Sequence, residues 1–113
     1  MKTNDHEVIF AIVNSGFAED VMRVARENGA RGGTIINGRG VIDENAAAFF
    51  NITLNADKEI LMTVVEKNMR DQILNAIYKE LDMSKKAKGI AFTLPVTDAV
   101  GLVPMEQNNA KKE

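Results

Sequence analysis

The hydrophobic positions fall into four short runs separated by two segments of helical spacing. Val8 to Val13 (VIFAIV) is apolar at every position and rich in β-branched residues, which predicts a strand buried on both faces. Asn14-Ser15-Gly16 breaks the run, and either Asn14 or Ser15 is suited to cap a helix. Phe17, Val21, Val24 and Ala25 then recur at helical spacing, opposite Glu19, Asp20, Arg23, Arg26 and Glu27. With Gly29 as the C-terminal glycine, this predicts a first helix over 16–28. Thr34-Ile35-Ile36 predicts a second strand, stopped by Asn37-Gly38-Arg39-Gly40. Residues 38–48 read as a mobile loop, because two glycines, two acids and few bulky apolar groups give little burial to offset the ordering entropy. The chain is expected to return into a strand near 49–54.

Glu59 to Val65 (EILMTVV) predicts the next strand. A second helix follows, with Asn68 as its cap and Met69, Ile73, Ala76, Ile77 and Leu81 as its apolar stripe. The polar stretch from Asp82 carries Lys85, Lys86 and Lys88, and Ile90 to Leu94 predicts a last strand ended by Pro95. The order strand, helix, strand, strand, helix, strand predicts an α+β chain of ferredoxin-like βαββαβ type, a sandwich of one antiparallel sheet with two helices on one face. Strand one is apolar on both sides, so the other sheet face needs a cover. Self-association is the simplest one.

Composition narrows the function classes. The 113 residues suit a single domain, read here as 1–105, with 106–113 (EQNNAKKE) as a disordered tail. A net charge of -2 gives no electrostatic footprint for nucleic acid. No cysteine is present, which removes disulfides, thiol catalysis and thiolate metal sites and fits a cytoplasmic location. The polar N-terminus does not resemble a signal peptide, and no apolar stretch is long enough to span a bilayer. His6 stands alone without metal-ligand partners nearby. Asp43 and Glu44 are adjacent in a loop and cannot hold acid and base in fixed geometry. No catalytic or metal-binding residue is therefore assigned, and the chain does not read as an enzyme. A small ferredoxin-fold enzyme remains the rival reading.

Local sequence points further. Asn28 to Ile36 (NGARGGTII) with Gly38-Arg39-Gly40 resembles the second strand of PII signal-transduction proteins and the glycine-rich opening of their effector loop. Lys58 to Val65 and Gln72 to Ile77 look like the family's third strand and second helix, and Lys88 to Val100 (KGIAFTLPVTDAV) is similar to its closing segment. The resemblance covers about residues 7–103. It implies a homotrimer that binds a small anionic effector, an adenine nucleotide (AMP, ADP or ATP), in clefts between subunits. It also implies control of a partner, a membrane transporter or a metabolic enzyme, through the loop. The ligand-binding residues it implies are Gly38, Arg39 and Gly40 on one side and Lys86, Lys88 and Gly89 on the other. Three expected cations are replaced, at Ile90, Gly101 and Val103, and the loop is short with no tyrosine, so weak ATP binding is expected. Read without the resemblance, Gly38-Arg39-Gly40 is either a phosphate-binding backbone or an ordinary turn, and the lysines are either phosphate grips or a solvated charge run. A trimer that docks its loops without a ligand is a further alternative.

Overall fold

A computed structural model of the chain describes residues 5–41, 45, 57–83 and 89–102. Among them run β1 (His6–Asn14), α1 (Ala18–Glu27), β2 (Thr34–Arg39), β3 (Asp57–Glu66), a 3-10 turn (Lys67–Met69), α2 (Arg70–Met83) and β4 (Ile90–Pro95). The strands form one sheet in the order β2-β3-β1-β4, with each neighbouring pair antiparallel. This is the ferredoxin-like arrangement. The expected strand near 49–54, most of the expected loop and the tail at 106–113 lie outside the described residues.

The sheet has two apolar faces, and among the described residues the helices cover only one. Ile9, Ala11 and Val13 of β1 and Leu61 and Val65 of β3 are buried together with Val21, Met22 and Ala25 of α1 and Ile73 and Ile77 of α2. On the other face the register lines residues up in rows. Ile36, Ile60, Ile12 and Ile90 cross the sheet side by side. Thr34, Met62, Phe10 and Phe92 form the next row, and Val64, Val8 and Leu94 the third. The Phe10 and Phe92 rings stack at 5.5 Å. No helix lies on this face among the described residues, and Ile90, Leu94 and Phe92 are 53%, 49% and 40% exposed.

The helix ends follow chemistry that is partly local. Gly29 takes φ +120 beyond α1, a left-handed conformation that suits glycine. Its N–H donates to the Arg26 carbonyl and that of Ala30 to the Ala25 carbonyl, the paired bonds of a Schellman ending. The start of α1 corrects the sequence expectation. Neither Asn14 nor Ser15 caps it: Phe17 is the N-cap residue and makes no side-chain cap bond. Glu59 of β3 does the work instead, its Oε1 accepting from the Gly16 N–H at 2.9 Å and the Ala18 N–H at 3.1 Å. Its carboxylate also sits favourably at the positive end of the helix dipole. Asn68 likewise is not a simple cap, because it lies inside the 3-10 turn ahead of α2. β2 runs on through Asn37, Gly38 and Arg39, where a stop was expected, because β3 offers Glu59, Lys58 and Asp57 as register partners.

Glu59→Ala should therefore lower stability by about 1–2 kcal/mol in chemical denaturation at fixed protein concentration, whereas Glu59→Gln, which keeps an acceptor oxygen, should lose less than half as much. Equal losses would mean that the side chain acts through packing rather than capping.

Candidate functional site

The predicted ligand residues sit on two different edges of the sheet. Gly38 and Arg39 close β2, Gly40 follows it, and Gly89 immediately precedes β4. Both groups lie at the same end of the sheet, but the strand order places β2 and β4 on opposite edges. Three strand spacings, about 14 Å, separate them. One protomer therefore does not bring them together. Lys86 and Lys88 lie outside the described residues.

Between the two edges, on the uncovered face, the structure places a cation that sequence reasoning did not single out. Lys58 pairs with Gly38 across β3 and β2 and with Asn14 across β3 and β1. Its Nζ donates to Asn14 Oδ1 at 2.7 Å. The signal was present in the alternation, since Lys58 shares a face with Ile60, Met62 and Val64 and stands where that apolar face ends.

The glycines at this end are not equivalent. A Cβ on Gly89 would lie 2.6 Å from the Ile12 carbonyl oxygen and 2.6 Å from Val13 Cγ1. The carbonyl belongs to a paired strand and cannot yield, so packing alone requires glycine there. A Cβ on Gly38 would meet only the end of the Ile60 side chain, at 3.3 Å. Glycine at 38 is thus not demanded by the protomer's own packing, which leaves approach by a ligand backbone-first as a use for it.

A second feature lies at the other end of β2. An open cleft of about 1150 Å³ is lined by Thr34, Met62 and Val64 from the uncovered face, by Gly32, Gly33 and Arg31 ahead of β2, and by Lys67 and Arg70 beyond β3. Asp5, His6, Gly101 and Leu102 close its far side. Gly33 is packed against Met22, Leu61 and the Met62 carbonyl, so a side chain there would push β2 away from the sheet. Thr63 Oγ1 donates to the Gly32 carbonyl at 2.5 Å and holds the same segment. Arg70 is committed elsewhere. It donates to Glu7 at 2.8 Å and to Asp71 at 3.0 Å, and these partners, Glu7 first, raise its pKa above the ordinary arginine value. Arg31 and Lys67 supply the remaining positive charge, against Asp5 and Glu66. Sequence reasoning missed this cleft, since its walls come from segments far apart in the chain. Among the described residues no cluster of three or more His, Asp or Glu could hold a metal.

A family model described as nitrogen regulatory protein P-II matches residues 6–106. No curated protein matches the chain. Among solved structures, Arabidopsis thaliana PII bound to citrate aligns with a TM-score of 0.64 at 22% identity, covering 87% of this chain and 81% of that one. A PII-like signaling protein of Thermus thermophilus, described as putative, aligns at 0.62 with 20% identity, covering 85% and 90%. A functionally unknown protein of Pediococcus pentosaceus aligns at 0.62 with 14% identity, covering 88% and 100%. At these identities the likeness to solved structures speaks for the fold.

The contrast between the glycines is measurable. Gly89→Ala should cost about 1–3 kcal/mol of stability by overpacking against β1, while Gly38→Ala should cost under about 1 kcal/mol. A Gly38 variant as unstable as the Gly89 variant would show that position 38 is glycine for packing reasons as well.

Proposed function

This chain belongs to the nitrogen regulatory protein P-II family, and from that premise we propose that it is a homotrimeric ligand sensor, not an enzyme, which binds a small anionic effector between its subunits and controls a partner protein. The observation that carries this reading is the uncovered apolar face spanning all four strands. Contiguous apolar surface of this kind marks an interface, and copies of the same face packed around an axis would bury it. The same packing sets the β2 edge of one protomer against the β4 edge of the next. Gly38, Arg39, Gly40 and Lys58 from one subunit and Lys86, Lys88 and Gly89 from its neighbour then share one cleft.

The ligand class follows from the lining. At one end of β2 stand cations and glycines suited to an anionic group, and at the other the half-apolar cleft of Thr34, Met62 and Val64. Six strand residues between them span about 20 Å, the scale of a nucleotide lying along the edge. An adenine nucleotide (AMP, ADP or ATP) fits that division, and a small polycarboxylate fits the cationic end alone. The citrate-bound Arabidopsis relative supports the second option. With Ile90 and Gly101 where cations were expected, we propose that a nucleotide with fewer phosphates is held better than ATP. The loop expected over 38–48 is the part proposed to meet the partner, a membrane transporter or a metabolic enzyme acting in the cytoplasm. No described helix is long and apolar enough to cross a membrane.

Sedimentation of the wild-type chain should give a trimer at micromolar concentration, and Phe10→Glu, which puts a charge on the central strand β1 of the apolar face, should give monomers. A stable wild-type monomer would refute the assembly. In titration calorimetry with AMP, ADP, ATP and citrate, Arg39→Ala, Lys58→Ala and Lys88→Ala should each weaken binding about tenfold to hundredfold, the loss of one charge-assisted hydrogen bond of ~1.5–3 kcal/mol. Tight ATP binding untouched by all three would place the pocket elsewhere.

A further inference from the structure

We propose that Ile35, on the β2 edge of one subunit, seats in a hollow at the β4 edge of the next, so that the helix-covered layer as well as the open face runs on through the assembly. This contact rests on the assembly proposed above. It starts from one row of the covered face. Ile35, Leu61, Ala11 and Ala91 lie level across all four strands. Leu61 and Ala11 in the middle are fully buried, but the two ends are unlike. Ile35 is bulky and 38% exposed, and among the described residues no strand lies beyond it. Ala91 is small, and beside it α2 leaves an open hollow of about 450 Å³ lined by Leu74, Tyr78, Leu81, Asp82 and Gly89. Leu74, Leu81 and Ala91 pack against the core and give the hollow an apolar floor. One end of the row is thus an apolar group without a cover, and the other is a cover without a group to fill it.

Assembly brings the two ends together. β2 and β4 run in opposite directions, and a rotation about an axis along the strands leaves the level of every residue unchanged. The arrangement that sets Gly38 of one subunit beside Gly89 of the next therefore sets Ile35 beside Ala91. Seating Ile35 there removes apolar surface of both subunits from water. The charges agree with this docking. Arg39 shares a face of β2 with Ile35, four residues and about 13 Å further on. Asp82, near the end of α2, lines the hollow together with Gly89, at the end of the sheet where β2 finishes. Neither Arg39 nor Asp82 makes an ion pair with another described residue. A guanidinium has five N–H donors, so Arg39 can hold Asp82 and still offer N–H groups to an effector. Knob, hollow and both charges belong to this chain and stand at matching levels, which makes a second copy the occupant.

The chain contains no cysteine, so an introduced pair reports cleanly. Within one protomer Ile35 and Ala91 are three strand spacings apart, about 14 Å, which is beyond the ~7 Å reach of a disulfide. In the full chain, Ile35→Cys with Ala91→Cys should therefore link one chain to another when oxidised with diamide. The link should form at least tenfold faster than in the control, Ile35→Cys with Thr93→Cys, whose second thiol lies about 7 Å further along β4. In sedimentation, Ala91→Leu fills the hollow from its own subunit and should raise the concentration at which the trimer dissociates at least tenfold. Adding Ile35→Ala should recover at least threefold of that loss. Asp82→Arg should weaken assembly in the same way, and adding Arg39→Asp should restore it. A trimer whose test pair links no faster than the control, or in which Ile35→Ala brings no recovery, would overturn the seat while leaving the trimer standing. Failure of the charge exchange to restore assembly would overturn the pairing of Arg39 with Asp82. A wild-type monomer would refute the assembly and this contact together.

Discussion

One sheet with apolar residues on both faces, of which the described helices α1 and α2 cover only one, is the constraint on which the rest of the molecule depends. On the helix side the demand is met, with Ile9, Leu61, Ile73 and Ile77 fully buried. On the other side, rows of isoleucine, phenylalanine, methionine and valine stay open in the protomer. Fully burying an exposed side chain of this kind is worth about 1.5–3 kcal/mol, and since these are already about half-buried each would gain only a part of that on being covered. A second copy of the same face is the cover proposed above. The predicted ligand residues occupy opposite edges of this sheet, so the association that hides the apolar face is also what would complete the site. A ligand held between subunits then stabilises the assembly by mass action.

The elements legible in the sequence were those whose cause is local. The continuous run from Val8 to Val13 announced the strand β1, although in the protomer only its Ile9, Ala11 and Val13 side is buried, and Gly29 announced the end of α1. What failed was decided by contacts distant in sequence. The cap of α1 comes from Glu59, more than 40 residues away, so no reading of Asn14-Ser15-Gly16 could find it. Asn37-Gly38-Arg39-Gly40 has the composition of a turn, yet β3 lies alongside and keeps Asn37 to Arg39 extended. Of the candidate site, the family resemblance supplied Gly38, Arg39, Gly40 and Gly89 as expectations, at one end of the sheet but on opposite edges. Lys58 became visible only once the register put it beside Gly38 and Asn14.

The sterics also separate two meanings of glycine that sequence cannot. Gly33 and Gly89 are glycine because neighbouring atoms fill the space a side chain would take. Gly38 faces only the end of a flexible isoleucine. A glycine-rich pattern that looks uniform along the chain is therefore part scaffold and part candidate site, and only the second part speaks to a ligand.

Ile90 joins these threads. It stands where the resemblance expects a phosphate-gripping lysine, and it is also the last member of the row Ile36, Ile60, Ile12, Ile90. A lysine at this place would end the row with a charge that assembly must either leave in water or pair with an anion, and in such an arrangement the ligand itself supplies the missing partner. Isoleucine removes that dependence. It extends the apolar face to the edge of β4. If protomers assemble through this face as proposed, one residue would exchange a phosphate grip for interface, and holding an anion would fall to Arg39 and Lys58 toward the β2 edge of the sheet.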